Sequence, residues 1–176
     1  AAFLDVPREE VASALSSGAG MEEPIVAMSR ILAATRVTQR LGRDLYDREH
    51  PDLMALYFEG TDEVGHVFAP FAPPRLSCVS EEDFRRYGRA VDAYYAVVDR
   101  ILGQWMRRAE EDGAVLMVHS DHGFQWGAGR PCRPSSSPPA TASLWHRAAG
   151  VYAFWGDGVL RAADRGPANI FDLAPP

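Results

Sequence analysis

Hydrophobic residues along the chain follow two spacings, one typical of helices and one typical of buried strands. From about residue 23 to residue 48, apolar residues recur every three or four positions with charges between them, which predicts an amphipathic helix. A second long helix is predicted for residues 80–111, because Ser80 and Asp83 resemble a capping box at its start. A short helix after Asp5 precedes both.

Three continuous apolar runs have the length of strands. They are residues 53–58, 114–118 and 150–155. Runs of this kind are typical of strands that are covered on both faces. The order helix, strand, helix, strand indicates a parallel sheet with covering helices. The pattern therefore predicts an α/β fold, a three-layer αβα sandwich with a mainly parallel sheet.

Length and composition narrow the class of protein. At 176 residues and 47% hydrophobic, the chain is expected to form a single domain over residues 1–176. Its 18 basic and 24 acidic residues give a formal net charge of -6, which argues against partners such as nucleic-acid polymers or anionic membranes. No apolar stretch approaches the length of a membrane span, so no membrane segment is expected in this chain. The compartment and the oligomeric state stay open.

The two cysteines, Cys78 and Cys132, lie far apart in the sequence. Neither belongs to a Cys-x-x-Cys spacing, so neither a thiolate zinc site nor a disulfide framework is indicated. Whether the two pair with each other stays open at this point.

Candidate metal ligands gather at the borders of the predicted strands. Asp62 and His66 follow the first run, Asp121 and His122 follow the second, and His146 precedes the third. Carboxylate and imidazole together are the ligands of zinc and its neighbours in the transition series. Five such residues exceed the three that one catalytic zinc takes from protein, so two metal ions are the simplest interpretation.

Two neighbouring metal ions favour a particular chemistry. They can hold the attacking and leaving oxygens of an in-line displacement, and phosphoryl transfer most needs this because charge spreads over the non-bridging oxygens. The pattern therefore predicts a small-molecule phosphate ester as substrate. Spacing alone leaves open a chance scatter of acids and histidines, since turns attract aspartate.

The ordered set of motifs resembles a known family. Asp62-Glu63-Val64-Gly65-His66 is similar to the Asp-x-x-Gly-His element of type I phosphodiesterases and nucleotide pyrophosphatases, a branch of the alkaline phosphatase superfamily. Ser120-Asp121-His122-Gly123 resembles the family's Ser-Asp-His-Gly element, and His146 ahead of an apolar run resembles its third histidine. The order and the gaps agree from about residue 51 to residue 175.

The resemblance assigns the ligands and the reaction. It implies that Asp62, His66 and His146 bind one zinc and that Asp121 and His122 bind a second. It also implies an alkaline phosphatase-like core and a two-zinc phosphodiesterase. In such an enzyme a hydroxyl nucleophile attacks phosphorus, one zinc activates that nucleophile, and the other stabilises the leaving oxygen.

Part of the family's site has no match in this sequence. The family completes the second zinc site with an aspartate at the end of an N-terminal strand and supplies a threonine or serine nucleophile, but residues before Pro51 read as helices. We therefore expect the carboxy-terminal portion of a larger catalytic domain, incomplete at both ends. Such a chain carries most of the metal site without the nucleophile segment and is inactive alone.

Several alternatives stay open. The same motifs suit a phosphomonoesterase, a phosphonate hydrolase or a sulfatase of the same fold, and the unmatched nucleophile suits a non-catalytic metal-binding or interaction module. Three aromatic residues, Phe124, Trp126 and Trp145, either line a pocket for a leaving group or pack within a loop. The hydroxyls of Thr61 and Ser120 are interpreted as ordering their own turns.

Overall fold

The structure, a computed structural model, describes residues 3–134, 143–160 and 166–173. These ranges are mainly helical. They contain helices α1 (Arg8–Ser16), α2 (Pro24–Glu49), α3 (Gly60–Phe68), α4 (Glu81–Tyr87) and α5 (Ala90–Asp112). They also contain strands β1 (Leu116–His119), β2 (Gly123–Phe124), β3 (His146–Arg147) and β4 (Tyr152–Trp155), with short 3-10 turns at Ala69–Phe71, Gly127–Gly129 and Ile170–Leu173.

The strands form two small sheets. β1 pairs with β4 in antiparallel direction, with Leu116 opposite Trp155 and His119 opposite Tyr152. β2 pairs with β3 in a second two-stranded sheet. The predicted three-layer αβα sandwich with a mainly parallel sheet is therefore wrong for the described residues. Parallel neighbours need a long crossover, usually a helix, and the described residues between β1 and β4 contain no α-helix.

The apolar run at residues 53–58 is the main source of that error. The run is not assigned as a strand, although alternate side chains are covered. Leu53 and Tyr57 are 89% and 74% exposed, whereas Leu56 lies against Gly42 of α2. Its length and composition suggested a strand covered on both faces, but a strand also needs a neighbour, and an apolar run carries no information about one.

Helix boundaries follow local signals closely. The Glu23 side chain accepts a hydrogen bond from the Val26 backbone N–H at 2.8 Å, and Pro24 occupies the first turn. His50, with φ 45°, directly follows the last residue of α2. The helix predicted at residues 23–48 is thus confirmed. Ser80 caps α4 by accepting from the Asp83 N–H at 3.0 Å. The predicted single helix over residues 80–111 is wrong, because α4 ends at Tyr87, before Gly88, and α5 begins at Ala90.

The chain divides into two compact units. The first comprises Ala1–Ile101 and Phe124–His146, and the second comprises Leu102–Gly123 and Arg147–Pro176. Fully buried side chains in the first unit include Ile31, Val64, Phe68 and Tyr94 of α2, α3 and α5, together with Pro70 and Trp145. The second unit contains β1 and β4. The prediction that residues 1–176 form a single domain stays a prediction.

A disulfide and a buried arginine hold the loop that follows α3 to a distant part of the chain. Cys78 and Cys132 form a disulfide, which answers the question that the sequence left open. Arg130 is only 4% exposed and lacks solvent, so burial lowers its pKa. Its guanidinium donates to the backbone carbonyls of Ala69, Ala72, Pro74 and Gly127.

In the part of the chain that the structure describes, no helix is long and apolar enough to cross a membrane.

Candidate metal centre

α3 places two of the predicted ligands on one side of a helix. Asp62 and His66 are four residues apart, so their side chains lie one turn above the other. The distance from Asp62 Oδ1 to His66 Nε2 is 3.3 Å. Asp62 lies in the first turn, where the helix dipole favours a carboxylate.

The start of α3 is fixed by close packing on α5. Gly60 is buried, and a Cβ added there would collide with the Tyr94 hydroxyl. That hydroxyl is hydrogen-bonded to Thr35 Oγ1 of α2 at 2.7 Å. Gly60 is therefore the residue type that lets α3, and with it Asp62, lie this close to Tyr94.

His146 of β3 brings a third ligand atom to the same point. Its Nε2 lies 3.2 Å from Asp62 Oδ1 and 2.9 Å from His66 Nε2. His66 and His146 are 80 residues apart in sequence, yet both belong to the first unit. The three residues that the resemblance assigns to one zinc thus have their ligand atoms within 3.3 Å of one another.

These distances can be compared with the geometry of a bound ion. Zinc in proteins is tetrahedral with ligands at about 2.0–2.1 Å, which makes the ligand–ligand edges of the tetrahedron roughly 3.3–3.4 Å. The three observed separations of 2.9, 3.2 and 3.3 Å are close to such edges. One carboxylate oxygen and two imidazole nitrogens are also a donor set that zinc accepts. The residues therefore fit a zinc ion.

Acidic side chains near the start of α3 favour a cation at this point. The pKa of Glu63 is raised chiefly by burial and further by the charges of Glu59 and Asp62. Burial also raises the pKa of Tyr95, and the negative charge of Asp62 adds to that effect. A bound cation would relieve this excess of negative charge.

Aromatic rings surround the two histidines of the cluster. The Phe124 ring packs edge-to-face on His66, with 5.2 Å between ring centroids. Trp145 is 1% exposed and lies 5.6 Å from Phe124, while Trp126 lies 5.3 Å from Phe124 and is 40% exposed. Phe124 and Trp145 therefore pack around the imidazoles. The alternative in which these rings line a pocket for a leaving group stays a prediction.

The other predicted pair, Asp121 and His122, lies in the second unit at the turn after β1. Its members are close to each other, with 3.9 Å from Asp121 Oδ1 to His122 Nε2. His122 Nδ1 lies 3.0 Å from the backbone carbonyl oxygen of Gly123. Ser120 Oγ accepts a hydrogen bond from the Val151 N–H at 2.9 Å, so its hydroxyl orders this turn as interpreted from the sequence.

Two contributors to the site gave little signal in the sequence. Tyr94 read only as one member of an apolar helix face, although its hydroxyl packs against the start of α3. Phe124 read as a pocket or loop residue, although its ring contacts Gly65 and His66 of α3. The two glycines, Gly60 and Gly65, were the available signals, because each permits one of these close approaches.

Comparison with protein families identifies a family that this chain resembles over most of its length. The model of the family described as type I phosphodiesterase / nucleotide pyrophosphatase matches residues 5–130, which is more than half of the chain. The match includes Asp62, His66, Asp121 and His122 and ends before His146. Neither the search of curated proteins nor the search of solved structures found a match.

Proposed function

Because the chain belongs to the type I phosphodiesterase / nucleotide pyrophosphatase family, we propose that it serves the zinc-dependent hydrolysis of phosphodiesters. The family hydrolyses phosphoric esters and belongs to the alkaline phosphatase superfamily. The dependence on zinc, the preference for diesters over monoesters and the absence of the nucleophile from residues 1–176 are proposals.

The convergence of Asp62, His66 and His146 carries this proposal. Asp62 supplies a carboxylate oxygen, and the two histidines supply Nε2 atoms from different segments of the first unit. Zinc held there would act as a Lewis acid toward a phosphoryl oxygen. The neighbouring carboxylates of α3 add negative charge near Asp62, which favours binding of a cation there. Asp121 and His122 are proposed as ligands of a second zinc.

We further propose that the nucleophile is not among residues 1–176. Thr61 lies in the first turn of α3, where its neighbour Asp62 is a proposed ligand. Ser120 holds the turn before Asp121 through its hydrogen bond with the Val151 N–H. Neither hydroxyl is assigned to attack phosphorus, so the chain alone should bind metal and ester without turnover.

Ester binding can be tested without turnover by ³¹P NMR. The full chain is loaded with Co²⁺ in place of Zn²⁺, and dimethyl phosphate is added as a diester probe. We expect paramagnetic broadening of its resonance, lost in Asp62→Asn and kept in His50→Asn, a control at the exposed end of α2. Broadening that is absent from cobalt-loaded wild type, or equal in Asp62→Asn, would contradict the proposal.

Competing probes separate the alternatives of the same fold. Methyl phosphate and methyl sulfate represent a phosphomonoesterase and a sulfatase, and methyl methylphosphonate represents a phosphonate hydrolase. We expect dimethyl phosphate to displace each of them from the cobalt-loaded chain. Hydrolysis of bis(p-nitrophenyl) phosphate by the chain alone would support the hydrolase and refute the proposed absence of the nucleophile.

A further inference from the structure

Phe124 lies against the helix that carries two of the proposed ligands. A Cβ added at Gly65 would come within 2.6 Å of Phe124 Cζ, which is closer than real Cβ contacts. The ring therefore occupies the space that a side chain at position 65 would take. Gly65 directly precedes His66, so the ring packs on α3 beside the ligand.

The same ring contacts both imidazoles. Its centroid lies 5.2 Å from that of His66 at an interplanar angle of 75°, and 6.1 Å from that of His146 at 56°. The ring of buried Trp145 also packs on it, with 5.6 Å between ring centroids. The Trp145 carbonyl accepts a hydrogen bond from the Gln125 N–H at 2.6 Å, which fixes the segment that carries Phe124.

The ring of His66 needs such packing because its Nδ1 lacks the hydrogen bond that usually fixes the orientation of a metal-binding histidine. A metal-binding histidine ordinarily donates its second ring N–H to a carbonyl or carboxylate, which fixes the ring orientation. His66 Nδ1 is buried and has no hydrogen-bond partner among the described residues. Rotation about the bond to an imidazole ring is soft, so packing must fix the orientation instead.

We propose that Phe124 is a positioning residue, which orients the imidazoles of His66 and His146 so that both Nε2 atoms face Asp62 Oδ1. This role deepens the proposed function, since it rests on the same metal site. Gly65 contributes to this positioning, because the absence of a side chain there lets the Phe124 ring pack directly on α3.

Gly65→Ala tests the role through the helix rather than through the ring. Alanine normally favours a helix over glycine by about 1 kcal/mol, which offsets part of the cost of displacing the Phe124 ring. We expect zinc affinity to fall about 10- to 100-fold, the range for lost support of a metal-binding histidine. Gly103→Ala in α5 is the matched control, since the nearest atom to its Cβ would be Arg107 Nη1 at 3.7 Å.

A double variant shows whether the ring transmits the effect. Phe124→Leu should also weaken zinc binding, and Gly65→Ala should add nothing further once the ring is gone. Additive losses in the double variant would overturn the proposal, because the two changes would then act independently. Equal zinc affinity in wild type and both single variants would overturn it as well.

A readout without metal separates this proposal from the function on which it rests. The hydrogen bond between the two Nε2 atoms at 2.9 Å requires one donor and one acceptor, so one neutral ring carries its proton on Nε2 and the other on Nδ1. We expect ¹⁵N NMR of the metal-free chain to show two fixed tautomers in wild type and averaged signals in Phe124→Leu. Unchanged signals would overturn the role of Phe124. Averaged signals in Phe124→Leu would support the role of Phe124. If wild type then bound no zinc, the zinc site would be refuted while that role stood.

Discussion

Removal of the disulfide between Cys78 and Cys132 should destabilise the first unit substantially. The bond closes a loop with a sequence separation of 54 residues. On the chain-entropy account, cross-linking a loop of this length lowers the entropy of the unfolded chain and stabilises the fold by about 4 kcal/mol at 25 °C. We expect the double variant Cys78→Ser/Cys132→Ser to lose between about 2 and 4 kcal/mol, because natural disulfides usually contribute in that range.

Guanidinium denaturation followed by tryptophan fluorescence measures this loss, since two of the four tryptophans, Trp126 and buried Trp145, belong to the first unit. Reduced wild type should match the double variant, and reductant should leave the variant unchanged. A double variant within about 0.5 kcal/mol of oxidised wild type would refute the reasoning, because surface changes alone are of that size.

Three further predictions concern the packing around α3. Gly60→Ala should destabilise the fold by about 1–3 kcal/mol because the new Cβ meets the Tyr94 hydroxyl, and Tyr94→Phe in the same chain should recover part of that loss in a thermal double-mutant cycle. Burial raises the pKa of Tyr94, so its contribution to stability is present below the ordinary tyrosine pKa of about 10 and is lost as pH rises through the higher folded value. The free energy of unfolding between pH 8 and pH 12 should therefore fall less in Tyr94→Phe than in wild type, and parallel curves would contradict this. Arg130→Met should leave buried carbonyls unpaired at about 1–3 kcal/mol each and speed proteolysis of the loop after α3, whereas exposed Arg133→Met should change neither.

Local signals in the sequence predicted most of the helices. The spacing of apolar residues gave α2 within one residue at each end, and Ser80 marked the start of α4. Such signals are reliable because they depend on residues within one or two turns. The break at Gly88 was missed, since the apolar face continues across it and a single glycine is tolerated in many helices.

The sheet could not be predicted in the same way. Pairing depends on which strands become neighbours, and a run such as residues 53–58 carries no information about that. β1 and β4 were placed approximately, but their antiparallel direction followed from the path of the chain between them. The expectation of parallel strands came from the order of elements, which describes a typical pattern and not this chain.

Part of the candidate site could be predicted from the sequence, because its ligands are residue types typical of metal sites. Asp62 and His66 could be paired by helical spacing, while His146 entered through its place in the resemblance. The residues that pack around these ligands could not be predicted from the sequence. Phe124 lies 59 positions from Gly65, and contacts over such distances depend on the complete fold.

Zinc binding by Asp62, His66 and His146 is the central claim, and equilibrium dialysis with elemental analysis tests it most directly. We predict at least equimolar zinc in wild type and in the control His50→Asn, with large losses in Asp62→Asn, His66→Ala and His146→Ala. The variants should keep the wild-type circular dichroism spectrum, so that lost metal reports on lost ligands. Zinc retained by all three variants, or absent from wild type, would contradict the claim.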